Sequence, residues 1–271
     1  MAYTFSSMKN EYGQLFNDCR IKDEKYNDVD ACIKKMVAAK SRYDTVAART
    51  GIPWYFIGIV HNMECSGSFT CHLHNGDPLT ARTVHVPKGL PKNGEPPYNW
   101  GDSAEDSLRS KALDKWTDWS ISGMLYQLER YNGFGYRTKG INTPYLWSGS
   151  NQYSKGKYTA DGTFSATAVS KQIGAAVLLR RLSEKQLIDV QEPDVLTELK
   201  RLGETVQHNP TVYSADAEKL QRLLNRFGLH LREDGHAGDV TSDAYKQITG
   251  SYLKGDKRAV LQNRQPSFTH N

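Results

Sequence analysis

The sequence predicts a mainly α-helical protein with a small irregular β lobe and a separate, small three-helix domain at its C-terminus. Three observations indicate this fold class. Segments with apolar residues at helical spacing flank a stretch rich in glycine and proline at residues 69–99. The composition becomes polar and charged near residues 186–212, and a second compact pattern follows it. The chain of 271 residues suits one large or two smaller domains.

Two helical segments are predicted before the lobe. Apolar residues recur at helical spacing across residues 20–49, which predicts the first. Pro53 is predicted as the first residue of the second, which runs through WYFIGIVHNMEC with Gly67 as its C-cap. This second helix is apolar on nearly all sides, so we expect it to be central and buried.

The remaining segments alternate between loops and helices. Residues 69–99 are predicted to form an irregular hairpin or lobe over a groove, with a short alternating piece at 81–86. Helical texture returns at 103–131, an aromatic loop spans 132–164, and a strongly apolar helix covers 165–185.

This organisation predicts that the chain has three parts. Residues 1–188 are predicted to form the first domain and residues 189–212 a linker or connecting helix, with Pro193 and Pro210 in it. Residues 213–271 are predicted to form the second domain.

Charge and hydropathy limit the kinds of partner. The formal net charge of +5 favours an anionic partner such as cell wall or membrane surface. The basic residues are spread along the chain without a block or a nucleic-acid motif, so we expect no nucleic-acid partner. No apolar stretch approaches the ~20 residues that cross a bilayer, so no membrane insertion is expected. The N-terminal sequence lacks a signal-peptide pattern, which leaves the export route open, and we expect a monomer.

Four cysteines leave the redox state open. An even number permits two disulfides, most simply Cys19–Cys32 and Cys65–Cys71, but the sequence does not establish the pairing. Their spacing is not that of a zinc ribbon.

Glu64 closes the predicted buried helix. Desolvation raises the pKa of a carboxyl group, so such a residue can stay protonated near neutral pH and act as a general acid. Cleavage of a glycosidic bond needs an acid of this kind to protonate the leaving oxygen. The alternative is a glutamate that leaves the helix for solvent or caps a neighbouring loop.

The run IPWYFIGIVHNMECSGSF, followed by the Gly/Thr-rich lobe, resembles the catalytic core of the lysozyme superfamily, which includes goose-type and phage lysozymes and soluble lytic transglycosylases. In that family a largely buried helix ends in the catalytic glutamate, which matches Glu64. A small polar residue and an aromatic follow, and Ser66, Ser68 and Phe69 match that pattern at a longer spacing than the transglycosylase Glu-Ser pair.

The resemblance covers residues 25–185 and includes the segments YQLERYNGFGYR, TPYLWSGSNQYSKGKYTADG and GAAVLLRRL. It implies a lysozyme-like α+β catalytic domain that needs no cofactor. The implied activity is that of a muramidase or lytic transglycosylase, which cuts peptidoglycan between MurNAc and GlcNAc at the bacterial cell wall. A chitinase or chitosanase activity is an alternative within the same superfamily.

The second catalytic group is left open by the sequence. Asp77 is the leading candidate, with Thr80 or Thr83 to place a water, although an Asp in an Asn-Gly-Asp-Pro turn has an ordinary role in turn formation. Glu129 and Asp161 are alternatives, and a lytic transglycosylase needs only one glutamate and the acetamido group of its substrate. The predicted substrate-binding residues are Thr83, Glu129, Tyr131, Tyr136, Tyr145, Trp147, Gln152 and Tyr153.

A histidine cluster offers a rival hypothesis. His61, His72, His74 and His85 fall within 25 residues and flank Asp77. Two histidines and a carboxylate hold catalytic zinc in peptidases and amidases, which also attack peptidoglycan. No His-Glu-x-x-His pair is present, so we expect no metal and interpret these histidines as hydrogen-bonding residues of the lobe.

The C-terminal pattern LQRLLNRFGLHLREDGHAGDVTSDAYKQITG resembles the small three-helix peptidoglycan-binding domain found beside many wall hydrolases. Asp234-Gly235 is expected to supply a positive φ, and Thr241 to N-cap the next helix. The pattern departs from the family at His236-Ala237 and at Lys246-Gln247-Ile248. The residues that match are Leu220, Gln221, Leu224, Asn225, Gly228, Leu231, Asp234, Gly235, Gly238, Thr241 and Ala244.

Peptidoglycan is therefore the expected partner of both domains. A non-catalytic wall-binding protein that keeps a decayed lysozyme fold is the remaining alternative. Phage lysis, attack on competing or prey cells, and remodelling of the producer's own wall all fit the sequence.

Overall fold

A computed structural model of the chain describes residues 3–160, 162–188 and 195–262. Within these residues the protein is mainly helical, with twelve α-helices and one two-stranded antiparallel sheet. The chain forms two compact units, Met1–Gln191 and Glu192–Asn271, and each unit has its own apolar core. The elements of the first unit are α1 (Phe5–Asn17), α2 (Tyr26–Ala38), α3 (Lys40–Thr50), α4 (Trp54–Cys65), α5 (Trp100–Ser110), α6 (Ile121–Asn132), α7 (Pro144–Trp147), β1 (Lys157–Ala160), β2 (Thr163–Ser165) and α8 (Ala175–Glu184).

The α4 helix lies in the centre of the first unit, as its sequence predicts. Nine of its twelve residues are buried, and it packs against α2, α3 and α8. Its ends differ by one residue from the prediction. Pro53 is the N-cap rather than the first helical residue, and Ser66, in the left-handed conformation, is the C-cap in place of Gly67. The α4 helix therefore ends immediately after Glu64 and Cys65.

Other predicted helices are shorter than their apolar patterns. The segment 20–49 contains two helices that meet at Ala39, and 103–131 is interrupted between Ser110 and Ile121. The α8 helix begins at Ala175 instead of residue 165, and α1 was not predicted. Periodicity continues across these breaks because helices on both sides bury apolar residues in one core, so the pattern alone does not show where a helix stops.

The lobe at residues 69–99 has no strand among the residues described, only an isolated bridge between Cys71 and Pro78. The short alternating piece at 81–86 forms no strand, and the small sheet lies instead in the aromatic loop, as β1 and β2. The prolines of the lobe have no N–H to donate, and side chains bind its backbone in place of a ladder. Arg82 donates to the carbonyl oxygens of Pro91, Lys92 and Gly94.

The second unit contains α9 (Val195–Thr205), α10 (Ala215–Asn225), α11 (Asp239–Thr249) and α12 (Lys257–Gln262). Leu199 and Leu202 of α9 are buried in the same core as Leu220 of α10. The α9 helix lies within 189–212, the segment predicted as linker or connecting helix, and it gives the described part of this unit a fourth helix beyond the three expected.

The turn before α11 is organised by Gln221. Its Oε1 accepts from the Gly235 N–H at 2.9 Å, and its Nε2 donates to Asp234 and Thr241. Gly235 has a φ of 71°, as expected for the Asp-Gly pair. Thr241 lies inside α11 rather than at its N-cap, which is Gly238.

The four cysteines are free thiols. In the described parts of the chain, no helix is both long enough and apolar enough to cross a membrane.

Candidate active site

Glu64 lies in the last turn of α4 and is half-buried. The Tyr145 hydroxyl of α7 donates a hydrogen bond to Glu64 Oε1 at 2.8 Å. The lobe comes close to the same helix end. A Cβ atom added at Gly76 would lie only 3.0 Å from the Glu64 carbonyl oxygen. Gly76 has a positive φ of 80°, so glycine fits this close turn where other residues are strained.

The surroundings of Glu64 favour its neutral form. Burial raises the pKa of its carboxyl above the ordinary value and outweighs the Tyr145 hydrogen bond and the Lys111 charge, both of which act to lower it. The position in the last turn of a helix acts in the same direction as burial, because the carbonyl end of a helix disfavours a negative charge. A carboxyl group in its neutral form can donate a proton.

Tyr131 and Lys111 complete the surroundings of Glu64. The Tyr131 hydroxyl donates to the Leu73 carbonyl at 2.6 Å and lies 3.0 Å from Ser107 Oγ. Burial, and next the Glu64 charge, raise the pKa of the Tyr131 phenol. Lys111 Nζ lies 4.0 Å from the centre of the Tyr131 ring. Tyr131 thus contacts the Lys111 ammonium through its ring and interacts with the charge of Glu64.

Asp77 is buried, and its carboxylate is occupied by donors from the lobe itself. Oδ2 accepts from the N–H groups of Val84 and His85 and from the Asn75 side chain, and Oδ1 pairs with His85 Nδ1. Burial alone would raise the pKa of Asp77, but the His85 contacts and the Val84 amide outweigh it and hold that pKa well below its usual range. The geometry therefore makes Asp77 a residue that holds the lobe together.

Thr83 has a similar place in the lobe. Its hydroxyl donates to the Pro87 carbonyl at 2.6 Å and accepts from the Leu90 N–H at 2.9 Å. The side chain is buried. Its hydrogen-bonding capacity is used within the loop and not at an open surface.

Glu129 forms a separate, buried network away from these contacts. Its carboxylate accepts from the Tyr12 hydroxyl at 2.6 Å and from two Arg137 nitrogens at 2.9 and 2.8 Å. Arg137 also donates to both oxygens of Glu11. A cavity of about 230 Å³ borders this network, and Trp147 is in its lining. Burial alone would lower the pKa of Arg137, but the Glu129 and Glu11 carboxylates outweigh it and hold that pKa above its usual value.

The remaining predicted subsite residues make mainly structural contacts. The Tyr136 hydroxyl accepts from the Tyr158 N–H, and the Tyr153 hydroxyl joins Gly156 to Ser170. Gln152 donates to the Leu15 carbonyl. Of the residues predicted for the site, the structure brings together Glu64, Tyr131 and Tyr145. Asp161, the other candidate for the second carboxylate, lies outside the described residues.

The four histidines of the lobe region bind different partners. His61 lies between Tyr43 and the Ser68 carbonyl, and burial lowers its pKa to about 4. His72 binds Ser103 and the Ala81 carbonyl, and His74 binds Asp106. The remaining one, His85, binds Asp77. These imidazoles do not converge on a common point.

A cluster of possible metal ligands occurs in the second unit. His208, Asp239 and Asp256 form the single group of three such side chains found across residues 3–160, 162–188 and 195–262. Arg258 pairs with both carboxylates of this cluster, at 3.3 and 2.8 Å, and so supplies the positive charge there.

Two contacts of the site were not predicted. Lys111 lies at the C-cap of α5, inside a segment expected to be continuous helix, and Gln172 donates to the Met63 carbonyl at 2.7 Å. No local signal identifies either residue, because both reach α4 through tertiary packing.

No family model, no curated protein and no solved structure matches the chain.

Proposed function

We propose that the first unit is a lysozyme-like domain that cuts the MurNAc–GlcNAc strands of bacterial peptidoglycan, with Glu64 as the general acid. The observation that carries the proposal is the half-buried Glu64 carboxyl with its raised pKa and its hydrogen bond from Tyr145. A carboxyl group of this kind protonates the glycosidic oxygen as the bond breaks. The resemblance of the α4 segment and its flanking lobe to the lysozyme superfamily supports the choice of substrate.

The charges around Glu64 favour a mechanism with one carboxyl group. Among the described residues, the charged group that shifts the pKa of Glu64 is Lys111, and no second carboxylate does so. The carboxylates of Asp77 and Glu129 are engaged by other donors. A route in which the acetamido group of the substrate assists departure of the leaving group therefore fits best, as for a lytic transglycosylase. A muramidase that activates water in a second step uses the same acid.

The second unit is proposed to bind peptidoglycan and to hold the first unit on the wall. Its turn around Gln221 and its resemblance to wall-binding domains support this role. A cavity of about 280 Å³ next to the start of α11, lined in part by His236 and Thr241, offers space for part of a ligand.

Glu64→Gln tests the assignment of the acid. General acid catalysis contributes roughly 10²–10⁴-fold to rate, so we expect release of muropeptides from purified sacculi to fall by about that factor while the fold is kept. The measurement is mass spectrometry of the released products. Glu24→Gln, an exposed glutamate in the same unit, is the matched control and should behave as wild type. Turnover near the wild-type rate in Glu64→Gln would refute the assignment.

The same spectra distinguish the possible reactions. Hydrolysis leaves a reducing sugar, whereas transglycosylation leaves an anhydro-sugar lighter by one water. Cleavage of the amide between sugar and peptide would instead indicate an amidase and contradict the proposal. Binding to sacculi without soluble products would indicate a wall-binding protein that lacks catalysis.

A further inference from the structure

A small cavity between the end of α5 and the last turn of α6 is lined by donors and cations. It measures about 120 Å³, and its lining residues are Lys111, Leu113, Gln127, Arg130 and Tyr131. No acidic side chain is among them. A water molecule takes about 30 Å³ in the liquid, so the cavity has room for a carboxylate group with ordered water.

The two cations are close to each other and are not paired with a carboxylate. Neither Lys111 nor Arg130 forms an ion pair with an acidic side chain in the described part of the chain. Burial lowers the pKa of Lys111, and the nearby Arg130 charge lowers it further, while Glu64 acts to raise it. Lys111 is half-buried and Arg130 is exposed. Two neighbouring like charges are stabilised by an anion between them.

Several N–H donors around the cavity are not used by the protein. Lys111 Nζ makes one long hydrogen bond, to the Tyr131 carbonyl at 3.4 Å. Arg130 uses Nε on Gln127 Oε1 at 2.8 Å and Nη2 on the Lys111 carbonyl at 2.6 Å. A guanidinium has five N–H donors and an ammonium three, so most of theirs remain for a ligand. Because Arg130 binds the side-chain oxygen of Gln127, the side-chain nitrogen of Gln127 is a further N–H donor at the cavity.

The cavity adjoins the candidate active site through Tyr131. The ring of Tyr131 contacts Lys111, and its hydroxyl donates to the Leu73 carbonyl of the lobe. The preceding carbonyl, that of His72, accepts from the thiol of Cys65, the residue next to Glu64. Lys111 and Glu64 interact through their charges without forming an ion pair. A ligand that reaches both places presents its scissile bond at Glu64 and an anionic group at the cavity.

We propose that this pocket binds a carboxylate of the lactyl-peptide arm of muramic acid, an inference that rests on the function proposed above. Peptidoglycan carries such carboxylates beside the bond that is cut, whereas the sugar rings themselves are neutral. Charge-assisted hydrogen bonds from Lys111 and Arg130 recognise a carboxylate, and they give the site a preference for muramic acid strands over uncharged chitin. The pocket thereby selects the substrate.

Binding to the full chain in the Glu64→Gln background tests the pocket without turnover. The ligands are chitotetraose, a GlcNAc-MurNAc tetrasaccharide with free lactyl carboxylates, and the same tetrasaccharide with its stem peptides. Lys111→Met and Arg130→Gln should each weaken binding of the carboxylate-bearing ligands about tenfold or more and leave chitotetraose binding unchanged. A loss of affinity for the tetrasaccharide with free lactyl carboxylates shows that the pocket binds the lactyl carboxylate. A loss for the tetrasaccharide with stem peptides shows that it binds a peptide carboxylate. The second unit is the same in every variant, so differences in affinity between the variants arise from the pocket.

Lys34→Gln removes an exposed charge of the same unit and is the matched control. An equal loss of affinity for all three ligands, or no loss for any of them, would overturn the proposal. A titration with acetate, followed by NMR at the side-chain amide of Gln127, distinguishes failure of the pocket proposal from failure of the proposed function. If acetate binds and Lys111→Met abolishes its binding, but no saccharide binds, the anion site stands and its assignment to muramic acid falls. If the saccharides bind and acetate does not perturb Gln127, the pocket proposal fails while the proposed function survives.

Discussion

At the scale of single residues, Glu64 is governed by opposing effects. Burial disfavours its negative charge, whereas the Tyr145 hydroxyl and Lys111 favour it. Burial outweighs these two contributions, so the pKa of Glu64 is raised above its ordinary value. The Tyr145 hydrogen bond orients the carboxyl group and moderates the rise in pKa.

Tyr145→Phe removes the hydrogen bond that favours the carboxylate form. The pKa of Glu64 should then rise further, and the acid should stay protonated to higher pH. A general acid loses activity as the pH rises through its pKa, so the alkaline limb of the kcat profile should move to higher pH. The measurement is glycan cleavage against pH, compared with wild type.

Tyr213→Phe is the control for this change, because Tyr213 also donates to a carboxylate, Glu218, at 2.8 Å, but lies in the second unit. It should leave the profile unchanged. An alkaline limb that stays in place or moves to lower pH in Tyr145→Phe would contradict the role given to this hydrogen bond.

At the scale of elements, the position of Tyr145 depends on how α7 meets α8. The Gly174 N–H, at the N-cap of α8, donates to the Ser148 carbonyl at 2.8 Å. A Cβ on Gly174 would lie 2.2 Å from the Leu146 carbonyl oxygen. This distance is too short for any side chain, so the glycine allows the start of α8 to approach α7.

Gly174→Ala should push α7 from α8 and move Tyr145 with it. Overpacking of this kind costs roughly 1–3 kcal/mol of unfolding free energy, and we expect a lower kcat as well. Chemical denaturation followed by circular dichroism measures the first effect, and glycan cleavage the second. Gly135→Ala is the matched control, since the nearest atom to its new Cβ would be 3.9 Å away. Wild-type stability in Gly174→Ala would show that α7 is not held in this way.

At the scale of the whole molecule, the two units have separate cores. The first is built around α4, and the second around Leu199, Leu220, Leu224 and Leu253, all fully buried. Each unit can therefore be perturbed through its own core.

Leu220→Ala should weaken the second unit selectively. Removing a buried leucine side chain costs about 2–5 kcal/mol, through lost transfer energy and a residual cavity. We expect reduced retention on purified sacculi in a sedimentation assay and unchanged cleavage of soluble glycan oligomers. Leu125→Ala, in the core of the first unit, is the counterpart and should reduce cleavage. Equal loss of both activities in Leu220→Ala would argue against a separate binding role for the second unit.

Much of the local structure follows from the sequence alone. The helix that ends near Glu64 is expected to be buried, because it is hydrophobic on nearly all sides. The glycine and proline content of 69–99 predicts irregular backbone, and Asp234-Gly235 predicts the turn before α11. These features depend on short-range patterns of hydrophobicity and backbone conformation, which a single sequence displays.

The tertiary structure decided which polar groups lie together around Glu64. Asp77 resembles a catalytic carboxylate in the sequence, but the folded lobe surrounds it with its own N–H donors. Glu129 is taken up by Arg137, while Lys111, which carries no local signal, lies close enough to act on Glu64. The physical reason is that burial and hydrogen bonding set the charge state of a carboxyl group, and both arise from segments distant in the chain. The sequence by itself determined that a glutamate lies at the end of the buried α4 helix, and only the packing of α5, α6 and α7 around that end decided its partners.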